Sequence, residues 1–572
     1  MNIIAWASLL ASPELGFWDS KFGGTIEVYL KAVGWAVAGG IGMGLGLIIS
    51  LKIFTLLTKD VDEWALVKAN NIPIGIVLGC VVLGACSAPP SPPGVVTLAV
   101  LSSPNSLDPR VGTDETSQRA HQLIYDNLLS LDEHLRVSAG LATHWTQPDP
   151  LTYDVFLRRG VRFHDGHELT ADDVVYTFSC FIDPAFVSAR KGAYRTLDRV
   201  TAIDPYTVRF SLKEPFGSFP IQLVMPVVPK DAGPGLRDRP VGTGPYRFVS
   251  FAVDDRLELK AFPGYFGGAP ANDGVVLKVV PDEIMRALEL RKGTVDMVVN
   301  DLAPDVVHQL EEEQSVNVAE SPGTDYAYIG VNMRDPVLAD RRVRHAIGYA
   351  VDRQAIVDHL RRGLARPAIG ILPPASWAFE PGVFQFSLDR RKARALLDEA
   401  GYPDPDGEGP APRLRLTLKV STNEFIRLQA AVIQQDLKQI GIDLDVRSHE
   451  FATLYADVLK GNFQLFTLQW VGVSDPDMLR RVFHSTQMPP TGFNRGYYEN
   501  PEVDRLIDAA MAATTNEDRR RLYGEAQQRI AADAPYISLW YKTNVAVSRT
   551  NIEGVTLTPS ADFTFLRRVR KN

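Results

Sequence analysis

Hydrophobic and polar positions divide the chain into two unlike parts. From Ala32 to Leu51 no position carries a charge, and a second apolar run extends from Ile72 to Ala85. Beyond about Val95 the apolar residues become dispersed and periodic. Tyr206, Val208, Phe210 and Leu212 alternate with Thr207, Arg209 and Ser211, the period of a half-buried strand. Leu414, Leu416, Leu418 and Val420 alternate with polar partners in the same way. Ile426, Ala430, Ile433, Leu437 and Ile440 then recur at helical spacing, which predicts a helix stopped by Gly441. Ile442, Leu444 and Val446 alternate again. Strand, helix and strand in this succession predict a βαβ unit with parallel pairing. A helical block is expected over Asn500 to Ala532 and a strand over Tyr536 to Val545. No repeat of solenoid or propeller length is visible.

Composition narrows the class. A chain of 572 residues is too long for one hydrophobic core, so several lobes are expected. The 45% apolar and 22% charged residues are those of a globular protein. A formal charge of -8, with no basic tract carrying interleaved aromatics, gives no reason to expect nucleic acid as a partner. Of 3 cysteines, Cys80 and Cys86 fall in the apolar N-terminal region, leaving Cys180 alone in the remainder. That excludes a disulfide framework and a cysteine-rich zinc site there. Cys180, after an apolar stretch, reads as a small buried hydrophobe.

The N-terminal runs pose a membrane question. Ala32 to Leu51 has the length of a transmembrane helix, with glycines suited to close helix packing. Ile72 to Ala85 is short for a span but fits a signal-peptide core. It ends Leu83-Gly84-Ala85-Cys86, ahead of Ser87-Ala88-Pro89-Pro90-Ser91-Pro92-Pro93. This ending resembles a bacterial lipobox, which implies lipidation at Cys86 and makes 86–94 an extended tether. Lys52, Lys59 and Lys68 place the intervening loop in the cytoplasm, so the chain after Cys86 is exported. The stretch from Gly16 to Leu83 resembles the front part of a small inner-membrane family of unknown function. Two readings stand side by side: a true fusion, or translation starting near Val67.

One segment is highly specific: Phe156-Leu157-Arg158-Arg159-Gly160-Val161-Arg162-Phe163-His164-Asp165-Gly166-His167-Glu168-Leu169-Thr170-Ala171-Asp172-Asp173-Val174. In order along the chain stand Leu107-Asp108-Pro109, Gly242-Thr243-Gly244-Pro245-Tyr246, Asp340 to Arg353, and Asn500-Pro501-Glu502-Val503-Asp504. The set resembles the family-5 solute-binding proteins of ABC importers, the group of oligopeptide-, dipeptide- and nickel-binding proteins, over about residues 95–570. The resemblance implies an α/β, two-lobed periplasmic-binding-protein fold with an extra subdomain, preceded here by transmembrane or signal helices. Lobe I is expected over 95–135, 241–325 and 535–572, the subdomain over 136–240, and lobe II over 326–534, with crossings near 325 and 534. The long motif has its own physical reading as scaffold: Asp165-Gly166 makes a turn, and Thr170 caps a helix with Asp172 and Asp173 in its first turn. His164 and His167, with Asp165 and Glu168, straddle that turn and do not converge on one ion, so no metal is expected there, and no cofactor. The chain has no Gly-x-Ser-x-Gly elbow, Walker A loop, His-Glu-x-x-His or dinucleotide fingerprint. A binder, not an enzyme, is expected; a periplasmic hydrolase and a membrane scaffold are the competing classes.

The resemblance also points to ligand-facing segments. Thr113-Asp114-Glu115 follows the first strand, Trp470-Val471-Gly472 ends an apolar strand begun near Phe463, and Trp540 or Tyr541 lies where the chain returns through the hinge. Peptide binders of this family carry an aspartate three residues after the tryptophan, to pair with the peptide's amino group. Here that position is Val473, and the nearest carboxylates are Asp475 and Asp477. Asp475 is the candidate replacement, because an unpaired ammonium in a closed cleft is costly. Arg495 could hold a carboxylate bidentately. The expected cargo is a short peptide, with a sugar, opine or metal chelate as alternatives. The expected partners are ABC permease subunits and, through a lipid anchor or N-terminal helix, the membrane; the expected state is monomeric.

Overall fold

The computed structural model describes residues 91–572 apart from Asp231, Glu408, Thr491 and Thr514. The expected spans 32–51 and 72–85, and the lipidation site Cys86, lie outside the described residues. Among those described, no helix is long and apolar enough to cross a membrane.

Alternating segments pair into one mixed eleven-stranded sheet. Its strands are β1 Val95–Val100, β2 Tyr246–Ala252, β3 Arg256–Ala261, β4 Gly274–Val279, β5 Met297–Val299, β6 Val316–Val331, β7 Ala365–Pro367, β8 Leu414–Ser421, β9 Ile442–His449, β10 Leu465–Trp470 and β11 Tyr536–Arg549. The order across the sheet is β9-β8-β10-β6-β11-β5-β1-β4-β3-β2, with β7 also on β11. The expected βαβ unit is present: β8 and β9 run parallel from Leu414↔Ile442 to Ser421↔His449, joined by the helix Glu424–Lys438. Asn423 caps that helix by accepting from the Ile426 N–H, and Ala430, Ile433 and Leu437 bury its inner face.

Two long strands join the halves of the sheet. β6 has 16 residues and β11 has 14, and they run antiparallel. Before Pro322, β6 pairs with the part of β11 that also meets β5; from Tyr326 onward it lies between β11 and β10. The ladder shifts register between Pro322 and Tyr326. Gly323 sits in that break, where a Cβ would lie 2.4 Å from the Lys542 carbonyl oxygen, so only glycine allows the strands to approach.

Each part has its own core. Leu98, Ile124, Tyr246, Leu277 and Phe565 pack around β1 and β4. Ile329, Ile347, Leu418, Ile433 and Ile537 fill one face of the other half, and Tyr328, Leu454, Phe466, Ile507 and Tyr523 the opposite face. A separate four-stranded antiparallel sheet (Ala142–Asp149, Thr152–Leu157, Leu197–Asp204, Thr207–Leu212) packs on the helix Ala171–Ile182 through Val155, Phe178, Val208 and Phe210. At about 25 cal/mol per Å² of apolar surface, such burial is the main stabilising force.

Several expectations shift in detail. The strand expected from Tyr206 begins at Thr207, because the Tyr206 N–H turns back to Asp204 Oδ1 (2.8 Å). The helical block is two helices, Pro501–Ala512 and Asn516–Asp533, and the last strand runs on to Arg549. Cys180 is half-buried rather than buried; its Sγ lies 3.4 Å from the Arg110 guanidinium, and burial raises its pKa. Residues 91–94, assigned from the sequence to the tether, are fastened to the body. Ser91 donates to the Gly293 carbonyl (3.0 Å) and to Asp296 Oδ1 (2.7 Å), and Lys571 Nζ donates to the Pro92 carbonyl (2.8 Å).

Candidate functional site

A cleft of about 1210 Å³ opens over the region where β6 and β11 cross. Its floor follows from strand register: Gln469, Ala327 and Trp540 stand in line across β10, β6 and β11, and all three line the cleft. One wall carries Ile284, Asn300 and Asp301; the other carries Phe425, Gln429, Phe451 and Tyr455. Trp540 is fixed by donating from Nε1 to Gln429 Oε1 (2.8 Å). Asp301 is held through its backbone, because buried Arg286 donates to the Asp301 carbonyl (2.8 Å) as well as to those of Val280 and Pro281. Arg344 binds the carbonyls of Leu338, Ala339 and Asp533 in the same manner, so both halves use one device at a helix start.

The charges of the cleft are in unusual settings. The Arg361 guanidinium lies 4.5 Å over the Trp540 ring and 5.1 Å over Phe425, and burial lowers its pKa to about 10. Arg495 lies 4.6 Å over Trp470 and donates to Tyr455 OH (3.1 Å). Lys542 lies two residues beyond Trp540 on the same face of β11. Burial raises the Asp301 pKa, with a further push from the charge of Glu115.

Among the residues singled out from the sequence, Trp470, Val471 and Arg495 meet in this cleft. Gly472 closes the turn after them at φ 66, its N–H donating to Asp325 Oδ1 (2.9 Å). Val473 is buried with its N–H on the Thr324 carbonyl, and offers no charge to an amine. Asp475 is not brought to the cleft. The Pro476 turn directs its Oδ1 onto the Asp477 N–H (2.7 Å), and it faces a second cavity of about 530 Å³ beside Ser218, Trp377 and Arg519. There burial, together with the charge of Asp477, pushes the Asp475 pKa up to about 7. Asp477 accepts from Ser218 Oγ (2.9 Å) and from Tyr523, which makes this pair part of the framework.

Thr113, Asp114 and Glu115 do not line the cleft either. Asp114 caps the helix Glu115–Ile124 by accepting from the Ser117 N–H (2.9 Å), Glu115 pairs with Arg119 (2.9 Å), and Thr113 is exposed. Tyr541 points to the opposite face of β11, where its hydroxyl meets the Gly370 and Leu372 carbonyls at 2.6 and 2.9 Å. Its neighbours Trp540 and Lys542 take the cleft side, as strand alternation requires. Sequence reasoning missed Asp301, Arg361, Gln429 and Lys542. Only Lys542 had a local signal, its two-residue spacing from Trp540.

The long motif is scaffold in the structure. Gly166 adopts φ 100 in the turn, and Asp173 Oδ2 accepts from the Thr170 N–H (2.8 Å) at the helix start. His164 Nε2 donates to the Gly244 carbonyl (2.9 Å) while Nδ1 accepts from the Gly242 N–H (3.3 Å), and burial lowers its pKa to about 4. Gly242 and Gly244 press on the Ile124 backbone so closely that a Cβ would come within 2.0 and 2.6 Å of it. Two distant motifs therefore dock on each other. Among the described residues, no group of three or more His, Cys, Asp or Glu side chains could hold a metal ion.

Comparison with known proteins agrees with this architecture. The chain is 30% identical over 496 residues to the oligopeptide-binding protein AppA of Bacillus subtilis (strain 168), covering 83% of this chain and 91% of that protein. It is 31% identical over 486 residues to the glutathione-binding protein GsiB of Salmonella choleraesuis (strain SC-B67), covering 82% and 93%. The structure of HbpA2 from Haemophilus parasuis superposes with a TM-score of 0.75 at 25% identity, covering 84% of this chain and 100% of that one. AppA from Bacillus subtilis in complex with a nonapeptide superposes with a TM-score of 0.68 at 28% identity, covering 85% and 100%. The fold is thus the mixed α/β, two-lobed one of periplasmic binding proteins. Residues 136–489 match the model of the bacterial extracellular solute-binding proteins, family 5 Middle. By scaffold, motif order and sequence identity over most of its length, the chain belongs to the family-5 bacterial extracellular solute-binding proteins.

Proposed function

We propose that the chain captures short peptides outside the cytoplasmic membrane and presents them to the permease subunits of an ABC importer, without chemically altering them. The cleft over the β6–β11 crossing carries this reading. Its volume, about 1210 Å³, exceeds the roughly 300–1,000 Å³ of sites for drug-sized ligands and suits several residues of extended chain. Aromatic walls at Trp470, Trp540 and Phe425 supply sequence-tolerant contact, while charged groups at both sides serve a zwitterion. Val471 on one wall and Ile284 on the other are 71% and 62% exposed, apolar surface that closure over a ligand would cover. The named ligands of the relatives, an oligopeptide for AppA and glutathione for GsiB, support the same class.

In this reading the lobes are 95–135 with 241–325 and 535–572, and 326–534, with 136–240 as the inserted subdomain; Gly323 to Asp325 and the paired segment of β11 act as the hinge. Trp470, Val471 and Arg495 contact the ligand together with Trp540, Arg361, Lys542 and Asp301. Asp301, the carboxylate in the cleft without an ion-pair partner or a helix-start position, takes the peptide ammonium in place of Asp475. The chain acts as a monomer held at the outer face of the membrane through lipid on Cys86 or the 32–51 segment. Calorimetric titration with peptides of two to five residues tests the proposal. Saturable one-to-one binding is expected, and cleavage of the titrant would overturn it in favour of a hydrolase.

A further inference from the structure

The charges that line the cleft do not balance. Of the carboxylates there, Asp305 is paired with Arg362 (2.6 Å), and Glu283 and Glu424 are exposed at helix starts, where the helix dipole favours them. Only Asp301 remains. Of the cations, Arg286 is consumed by three carbonyls, which leaves Arg361, Arg495 and Lys542. Arg361 reaches the Leu364 carbonyl (3.4 Å) and Arg495 the Tyr455 hydroxyl; neither forms an ion pair with a carboxylate among the described residues. Asp325 acts on Arg361 from a distance and is itself engaged by Gln469 and Gly472. Two donors on this wall, Arg361 Nε and Gln429 Nε2, are buried without a hydrogen-bond partner.

We infer that the cleft selects acidic peptides: its cargo carries two or more carboxylates for each ammonium, held by Arg361 with Lys542, by Arg495, and by Asp301 respectively. The inference rests on the peptide reading above. Trp540, under Arg361, and Lys542 are two residues apart along β11, about 7 Å, so both cations can engage one carboxylate. Arg495 is stacked on Trp470 of β10, and β10 and β11 flank β6, so the two cationic patches stand on backbones about 10 Å apart. Two or three extended residues span that distance. A neutral or basic peptide would leave buried guanidinium unpaired on closure, which is costly, whereas carboxylates match the guanidinium fork.

Calorimetry on the full chain with Ala-Glu-Ala, Ala-Ala-Ala and Ala-Lys-Ala tests this. Ala-Glu-Ala should bind at least about tenfold more tightly than Ala-Ala-Ala, with Ala-Lys-Ala weakest. Arg361→Gln should weaken Ala-Glu-Ala at least about tenfold and narrow the gap to Ala-Ala-Ala. It also takes the guanidinium off the Trp540 and Phe425 rings, which can lower the ligand-free melting temperature. Should it do so, Lys542→Gln carries the same affinity test from a half-exposed position. Equal affinities, a preference for Ala-Lys-Ala, or an acidic preference undiminished in both variants would overturn the inference and leave peptide capture standing. Failure of all three peptides to bind would overturn peptide capture itself, and the inference with it.

Discussion

Gln469 donates from Nε2 to Asp325 at 2.8 Å, and Asp325 is the last residue of the break where β6 shifts register against β11. The same carboxylate accepts the Gly472 N–H at 2.9 Å. The turn that presents Trp470 and Val471 is thereby tied to the point where β6 changes its register against β11. Asp325→Ala removes both acceptors. It should destabilise the fold by about 1–2 kcal/mol and weaken every peptide several-fold. Asp325→Asn keeps one acceptor oxygen and should be milder in denaturant titration and calorimetry alike.

Trp470 forms an apolar wall and the platform for Arg495. Trp470→Ala should cost about 2 kcal/mol of binding, about thirtyfold in Kd, for peptides of any charge. Calorimetry on an acidic and a neutral peptide would show parallel losses, in contrast to the charge-dependent loss at Arg361.

Asp475 yields a pH prediction. Its pKa is about 7 in the fold, raised by burial and by Asp477, against about 3.9 in an unfolded chain. Between about pH 4 and 7 the unfolded chain releases this proton and the folded one keeps it, so stability from this group falls as pH rises through that window. Asp475→Asn should therefore raise the melting temperature at pH 8, with the gain vanishing below about pH 4. Its peptide affinity should match that of the parent, because the side chain faces the other cavity.

The C-terminus is anchored by a buried ion pair. Lys571 Nζ lies 2.9 Å from Asp296 Oδ2, an oxygen that also accepts the Thr97 N–H on β1. Lys571→Met leaves Asp296 charged and partly uncompensated, and should cost about 3–5 kcal/mol in denaturant titration. Adding Asp296→Asn should recover part of that loss.

Legibility in the sequence followed how local each signal was. The two-residue alternation of Leu414 to Val420 and Ile442 to Val446, with a helical period between, marked β8, β9 and their parallel pairing. Thr170 and Asp165-Gly166 were readable as cap and turn because their chemistry acts within four residues. β11 was readable as a strand, but its faces were not. Buried on both sides, its first part from Tyr536 to Tyr541 carries apolar or aromatic residues at both alternations, Ser538 apart, so Trp540 and Tyr541 read alike as cleft candidates. Asp475 misled because nearness to Trp470 in sequence says nothing of the direction in which the Pro476 turn sends its carboxylate. Asp301 and Arg361 gave no signal. They follow a short strand and an irregular helical turn, and only the tertiary fold brings them to one cleft.

Native mass spectrometry of the full chain, solubilised in mild detergent and incubated with a mixture of short peptides, tests the central claim most directly. The account predicts a one-to-one complex carrying an intact peptide, depleted when Trp470→Ala is analysed in parallel. A chain that retains no peptide, or peptides recovered with altered masses, would contradict it.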